Sequence, residues 1–188
     1  MNISNAIVPG SLSAIAAQEG LSLAESFVSA DAVILVDCSA SMDARDSRGG
    51  RRRFDVALEE LAVLQQRMPG KIAVIAFSSS VQFVPGGQPP FLCASTDLAA
   101  ALQFAKMADV PGMRFVVISD GDPDDAQGAL AIAATYQNRI DTIYVGPESY
   151  PTGRRFLEQL ATAKGGQSLT ADRAQELAAK TEQLLLNA

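Results

Sequence analysis

Asp37, Ser39 and Ser41 place one carboxylate and two hydroxyls at alternate positions, separated by Cys38 and Ala40. Oxygen donors of this kind suit a small hard cation such as Mg2+, which takes one or two carboxylates and completes its shell with water or a ligand oxygen. They match soft-metal chemistry poorly. The same residues also suit a strand-to-helix turn in which Ser39 or Ser41 caps the next helix, so this stretch alone leaves both readings open. Thr96, in Ser95-Thr96-Asp97-Leu98, and Asp120, in Ile118-Ser119-Asp120-Gly121, offer further oxygen atoms. Singly, Thr96 reads as a helix cap and Asp120 as a turn residue beside a glycine.

Asp122 extends the last segment to Asp-x-Asp, which opens an enzymatic alternative. Asp37, Asp120 and Asp122 would then hold Mg2+ at a phosphate in a phosphoryl-transfer enzyme or nuclease. Such a site calls for another acid near Asp37 and a Lys or Arg placed for transition-state charge, whereas Ser39 and Ser41 stand in the acid's place. Asp122 ahead of Pro123 reads better as a helix cap. No Gly-x-x-x-x-Gly-Lys phosphate loop is present.

Composition removes several function classes. The chain has no histidine, which excludes Ser-His-Asp hydrolysis, His-ligated zinc and imidazole acid-base catalysis. Fifteen Lys and Arg against 21 Asp and Glu give a net charge of −6, which disfavours a general nucleic-acid or anionic-membrane binder. Apolar runs of about five to six residues are far below the roughly 18 to 20 needed to span a bilayer. The start, Met1-Asn2-Ile3-Ser4-Asn5, shows no basic, apolar leader, and a cytoplasmic protein is expected. Cys38 and Cys93 have no Cys-x-x-Cys spacing and suit reduced thiols; each lies within three residues of a candidate ligand, so they should share one face.

Positioning these residues falls to alternating strands and helices. Ala32-Val33-Ile34-Leu35-Val36 runs directly into Asp37 and reads as a strand buried on both faces. In an α/β sheet ligands collect beyond the carboxyl ends of strands, which is where Asp37 falls. The polar segment 43–53 comes next, and its Arg51-Arg52-Arg53 run suits either a solvated face or contact with a phosphate or acidic partner. Phe54, Ala57, Leu58, Leu61 and Leu64 form the apolar stripe of a helix from Arg53 to Arg67, ended by Pro69-Gly70. Strands are expected over Lys71–Phe77 and Val81–Val84, paired antiparallel across Ser78-Ser79-Ser80, and over Arg114–Ser119, Ile140–Val145 and Gln167–Thr170. Helices should open near Ala94–Leu98 and at Asp122, and run over Arg154–Lys164 and Arg173–Leu186. Residues 1–30 read as an arm of two short helices, the second begun by the capping box Ser22-Leu23-Ala24-Glu25. The whole is expected as an α/β, three-layer, doubly wound Rossmann-like sheet of about six strands, mostly parallel with one short antiparallel strand.

Asp37-x-Ser39-x-Ser41 closing an apolar strand, then Thr96 and Asp120 in that order, resembles the complete metal-site pattern of von Willebrand factor type A (VWA) domains. The resemblance covers about residues 31 to 186, with Ser95-Thr96 where many members have Gly-Thr. It implies a VWA domain over 31–188 that binds a protein partner and catalyses nothing. It further implies Mg2+ or Mn2+ held through the hydroxyls of Ser39 and Ser41, with Asp37, Thr96 and Asp120 binding directly or through water. A partner's Asp or Glu carboxylate would fill the remaining position. The terminal helix Arg173–Leu186 would be the element that responds.

Overall fold

A computed structural model describes residues 6–171 of the chain. At its centre lies β1 (Ala32–Asp37), all six residues buried because helices cover both of its faces. It pairs in parallel with β2 (Ile72–Phe77) on one side and with β4 (Arg114–Ser119) on the other. The short β3 (Val81–Phe83) runs antiparallel to β2, as its tight serine turn requires, while β5 (Ile140–Tyr144) and β6 (Ser168–Thr170) extend the opposite side in parallel. The sheet order is β3-β2-β1-β4-β5-β6.

Parallel neighbours need crossovers, and in this chain these are helices. α3 (Arg53–Arg67) joins β1 to β2 and sets Phe54, Ala57, Leu61 and Leu64 against Ala32, Ile34 and Val36. α4 (Leu98–Ala105), α5 (Ala126–Ala133) and α6 (Pro151–Thr162) contribute to the opposite layer, where Leu102, Ala129 and Leu160 join Val33 and Leu35. The period-two alternation of β1 thus feeds two separate cores. The connection after β1 therefore departs to one face and the connection after β4 to the other. A crevice forms where neighbouring strands send their connections to opposite faces, so the carboxyl ends of β1 and β4 are the switch point of the sheet.

Ahead of β1, α1 (Leu12–Glu19) is capped by Ser11, and α2 (Leu23–Val28) begins with the expected reciprocal capping box of Ser22 and Glu25. This segment packs at the antiparallel edge: Val8 N donates to Gly86 O, Ser13 N to Pro85 O, and Phe27 meets Phe83 edge-on at 5.4 Å.

Two helix starts differ from the sequence reading. α5 begins at Ala126 and is capped by Asp125, which accepts from Gly128 N, rather than by Asp122. The reason lies at Asp124, which exchanges hydrogen bonds with the Thr96 backbone and thereby holds 122–124 as a loop. α6 starts three residues before Arg154, with Pro151 in its first turn where a missing N–H costs nothing. The helix expected over Arg173–Leu186 lies outside the described residues. None of the described helices is long and apolar enough to cross a membrane.

Candidate metal centre

Asp37 ends β1 opposite Phe77 and is fully buried. Its Oδ1 accepts from Ser39 N at 2.9 Å and its Oδ2 from Ser119 Oγ at 2.6 Å, which ties the ends of β1 and β4 together. No cation among the described residues pairs with it directly. Burial, reinforced by the charge of Asp120 and only partly offset by hydrogen bonds from Ser119 and Ser39, raises its pKa to about 6.

Past Asp37 the chain makes a 3-10 turn over Ala40–Asp43, and Ser39 occupies the capping position without using its hydroxyl to cap. That hydroxyl instead lies 3.1 Å from Ser41 Oγ. Thr96 is buried and likewise is not the cap of α4, because Asp97 fills that role by accepting from Ala100 N. The capping alternative for Ser39 and Thr96 therefore fails. Their loops are stitched together by Ala40 N to Ala94 O, while Thr96 and Asp124 tie the second loop to the third.

Asp120 stands just beyond β4, and its place depends on two glycines. Gly121 has φ +76, and a β-carbon there would overlap the carbonyl oxygen of Gly153 in the first turn of α6. A β-carbon on Gly153 would in turn overlap the Asp120 carbonyl oxygen. The close approach buries the Asp120 side chain, whose Oδ2 accepts from Arg53 Nη1 at 2.7 Å. Its Oδ1 is buried with no hydrogen-bond partner among the described residues. Such an atom is costly, and native structures keep few of them.

Arg53 was not identified as a site residue by sequence spacing, since 67 positions separate it from Asp120. The Arg51-Arg52-Arg53 run is neither a bare solvated face nor three arginines left open for a phosphate. Arg51 pairs with Glu59 and Arg52 with Asp43, with the Arg52 guanidinium 4.2 Å from the Phe91 ring centroid. Arg53 forks onto Asp46 while reaching Asp120. The two cysteines do lie close together, Cys93 N donating to Cys38 O at 3.0 Å. Cys38 is buried, and burial followed by the charge of Asp37 pushes its thiol up; Cys93 is exposed.

By sequence the chain matches no protein-family model and no curated protein. By structure it is similar to an aerotolerance-related membrane protein from Bacteroides fragilis, 17% identical with a TM-score of 0.70, over 84% of this chain and 98% of that one. The SpRpn10 VWA domain is 16% identical with a TM-score of 0.54, over 74% and 86% of the two chains. A von Willebrand factor type A structure from Catenulispora acidiphila is 17% identical with a TM-score of 0.56, over 82% and 41%. The fold is that of a VWA domain.

Within this fold the candidate donors are two buried carboxylates, Asp37 and Asp120, and the neutral hydroxyls of Ser39, Ser41 and Thr96 on loops tied to one another. Among the described residues no group of three or more His, Cys, Asp or Glu side chains is arranged to hold a metal. An Mg2+ site does not need such a group, because the ion is commonly held by one or two carboxylates and other oxygens. The unpartnered Asp120 Oδ1 and the uncapping hydroxyl of Ser39 fit a hard cation. Asp122 is exposed, unlike the buried Asp37 and Asp120.

Proposed function

We propose that this chain is a protein-binding module of the VWA type that depends on a divalent metal and is not itself an enzyme. Residues 31–188 would form the module and residues 1–30 an arm beside it. Asp37, Ser39, Ser41, Thr96 and Asp120 would hold the ion, directly or through water. Bound there, Mg2+ or Mn2+ supplies an open position for an Asp or Glu carboxylate of a protein partner. The observation that carries this reading is the buried Asp120 Oδ1, an acceptor left without a donor among the described residues, at the end of the strand that neighbours the one leading to the Ser39 hydroxyl, which caps nothing.

The chain's own residues prepare the site in three ways. Ser119 and the Ser39 amide orient Asp37, Gly121 and Gly153 fix Asp120, and the contacts through Ala94 and Asp124 link the Thr96 loop to both neighbours. The phosphoryl-transfer alternative gains no support, because exposed Asp122 does not join the two buried acids.

Metal should raise the melting temperature, by an amount equivalent to about 2.7 kcal/mol at a hundred times the dissociation constant. Capture of a partner from native lysate on immobilised protein should require Mg2+ or Mn2+ and be lost with EDTA. Retention of the full metal-dependent rise in melting temperature by an Asp37→Ala, Asp120→Ala double variant would contradict the assignment.

A further inference from the structure

The site already contains a cation, and it is a side chain. Arg53 is the first residue of α3, where the helix's partial positive charge disfavours a basic group. Its placement is set instead by acids. Nε and Nη2 grip Asp46 Oδ1 and Oδ2 at 2.7 Å each, a bidentate fork, while Nη1 reaches Asp120 Oδ2 at 2.7 Å and lies 3.4 Å from the Ser41 carbonyl. The guanidinium thus touches two of the three loops that carry candidate ligands. Its side chain is only 12% exposed and Asp120's 1%, so water screens this contact weakly, whereas Asp46 is 42% exposed.

We propose that Arg53 is a built-in competitor for the divalent cation, with Asp46 as its second mooring. This rests on the metal-binding reading above and specifies how that site is regulated. In the ion-free protein the guanidinium neutralises one oxygen of Asp120. A divalent cation at the other oxygen faces this like charge at short range and binds weakly until Arg53 withdraws. Withdrawal keeps the Asp46 fork intact and gives up only the Nη1 contacts with Asp120 and the Ser41 carbonyl. The loop between β1 and α3, which carries Asp46, is therefore coupled to loading. A partner's carboxylate adds negative charge at the same place and offsets the repulsion, so ion and partner bind cooperatively.

The test is Mn2+ affinity of the full chain, read by the loss of the free-ion electron paramagnetic resonance signal, with thermal melts confirming that each variant folds. Arg53→Gln is expected to bind Mn2+ at least about tenfold more tightly than wild type. Asp46→Asn, at an exposed position that folding tolerates, is expected to bind several-fold more weakly, because Asp120 is then the one charged partner of Arg53 among the described residues. The double variant distinguishes a mooring from a general field: it should match Arg53→Gln, whereas simple removal of a nearby negative charge predicts that Asp46→Asn weakens binding equally in both backgrounds. Unchanged or weaker binding by folded Arg53→Gln, with wild type binding Mn2+, overturns the competitor role and leaves the metal site standing. Additive effects in the double variant overturn the mooring. Absence of binding in wild type and in every variant overturns the metal reading and this inference with it.

Discussion

Three buried aspartates at opposite ends of the central strands show what a structural carboxylate looks like and how the candidate site departs from it. Asp109 precedes β4 and is saturated: Lys106 Nζ, the amides of Gln137 and Asn138, and Asn138 Nδ2 all donate to its two oxygens. Burial alone would raise its pKa, but these partners outweigh it and hold the carboxyl below its ordinary value. At the carboxyl ends of the strands, Asp37 meets only a hydroxyl and an amide, and Asp120 leaves one oxygen without a partner among the described residues. One region satisfies its charge internally. The other holds two carboxylates close together with too few donors, the condition that a bound cation relieves.

The largest expected effect breaks the saturated end. Asp109→Ala leaves the amides of Gln137 and Asn138 without their acceptor, while Lys106 keeps the Thr135 carbonyl and the Tyr136 ring, and should cost about 3 kcal/mol in urea denaturation. The metal-induced rise in melting temperature should survive in that variant. An equal loss of metal response would erase the distinction between the two ends.

Dependence on pH should separate the regions by sign. For Asp37 the folded pKa of about 6 exceeds the ordinary 3.8, so its stabilising contribution is complete below the unfolded value and is lost as pH rises through about 6. That loss is roughly 3 kcal/mol in the ion-free protein. For Asp109 the folded value is depressed, so its contribution is present above the unfolded value and lost as pH falls through the folded one. Asp37→Asn should therefore flatten the decline of stability between about pH 4 and 6, on the order of 2 kcal/mol, and abolish the metal response. A wild-type stability curve flat across that range, measured with chelator present, would contradict the raised pKa.

Gly121→Ala tests positioning apart from charge. The left-handed backbone and the overlap with Gly153 should cost about 1–3 kcal/mol, and metal affinity should fall although every candidate ligand is retained. Smallest is Ser22→Ala, which removes the exposed capping box of α2 for about 1 kcal/mol and should leave metal binding untouched.

Much of the scaffold was legible in the sequence because β1, β2 and β4 are continuous apolar runs, a pattern that burial on both faces demands. The helix Arg53–Arg67 was also readable from its apolar stripe. The start of α5 was not, since Asp122, Asp124 and Asp125 are equally good caps in sequence and only the long-range bond between Asp124 and Thr96 selects Asp125. Arg53 was hidden for the same reason. Three adjacent arginines look alike until the fold gives each a different acid, and only one of them meets Asp120. The candidate oxygen atoms were named from a resemblance of motifs, but how far each is satisfied depends on contacts far apart in the chain.

The most direct measurement is a Mn2+ titration of wild type beside Asp120→Asn, followed by electron paramagnetic resonance at pH 7.5, with Asp109→Asn as the control carboxylate. A metal centre built on Asp120 predicts saturable one-site binding that Asp120→Asn weakens at least about tenfold and Asp109→Asn leaves within about twofold, a tenfold change being about 1.4 kcal/mol. Equal binding by wild type and Asp120→Asn, or an equal loss in both variants, would contradict it.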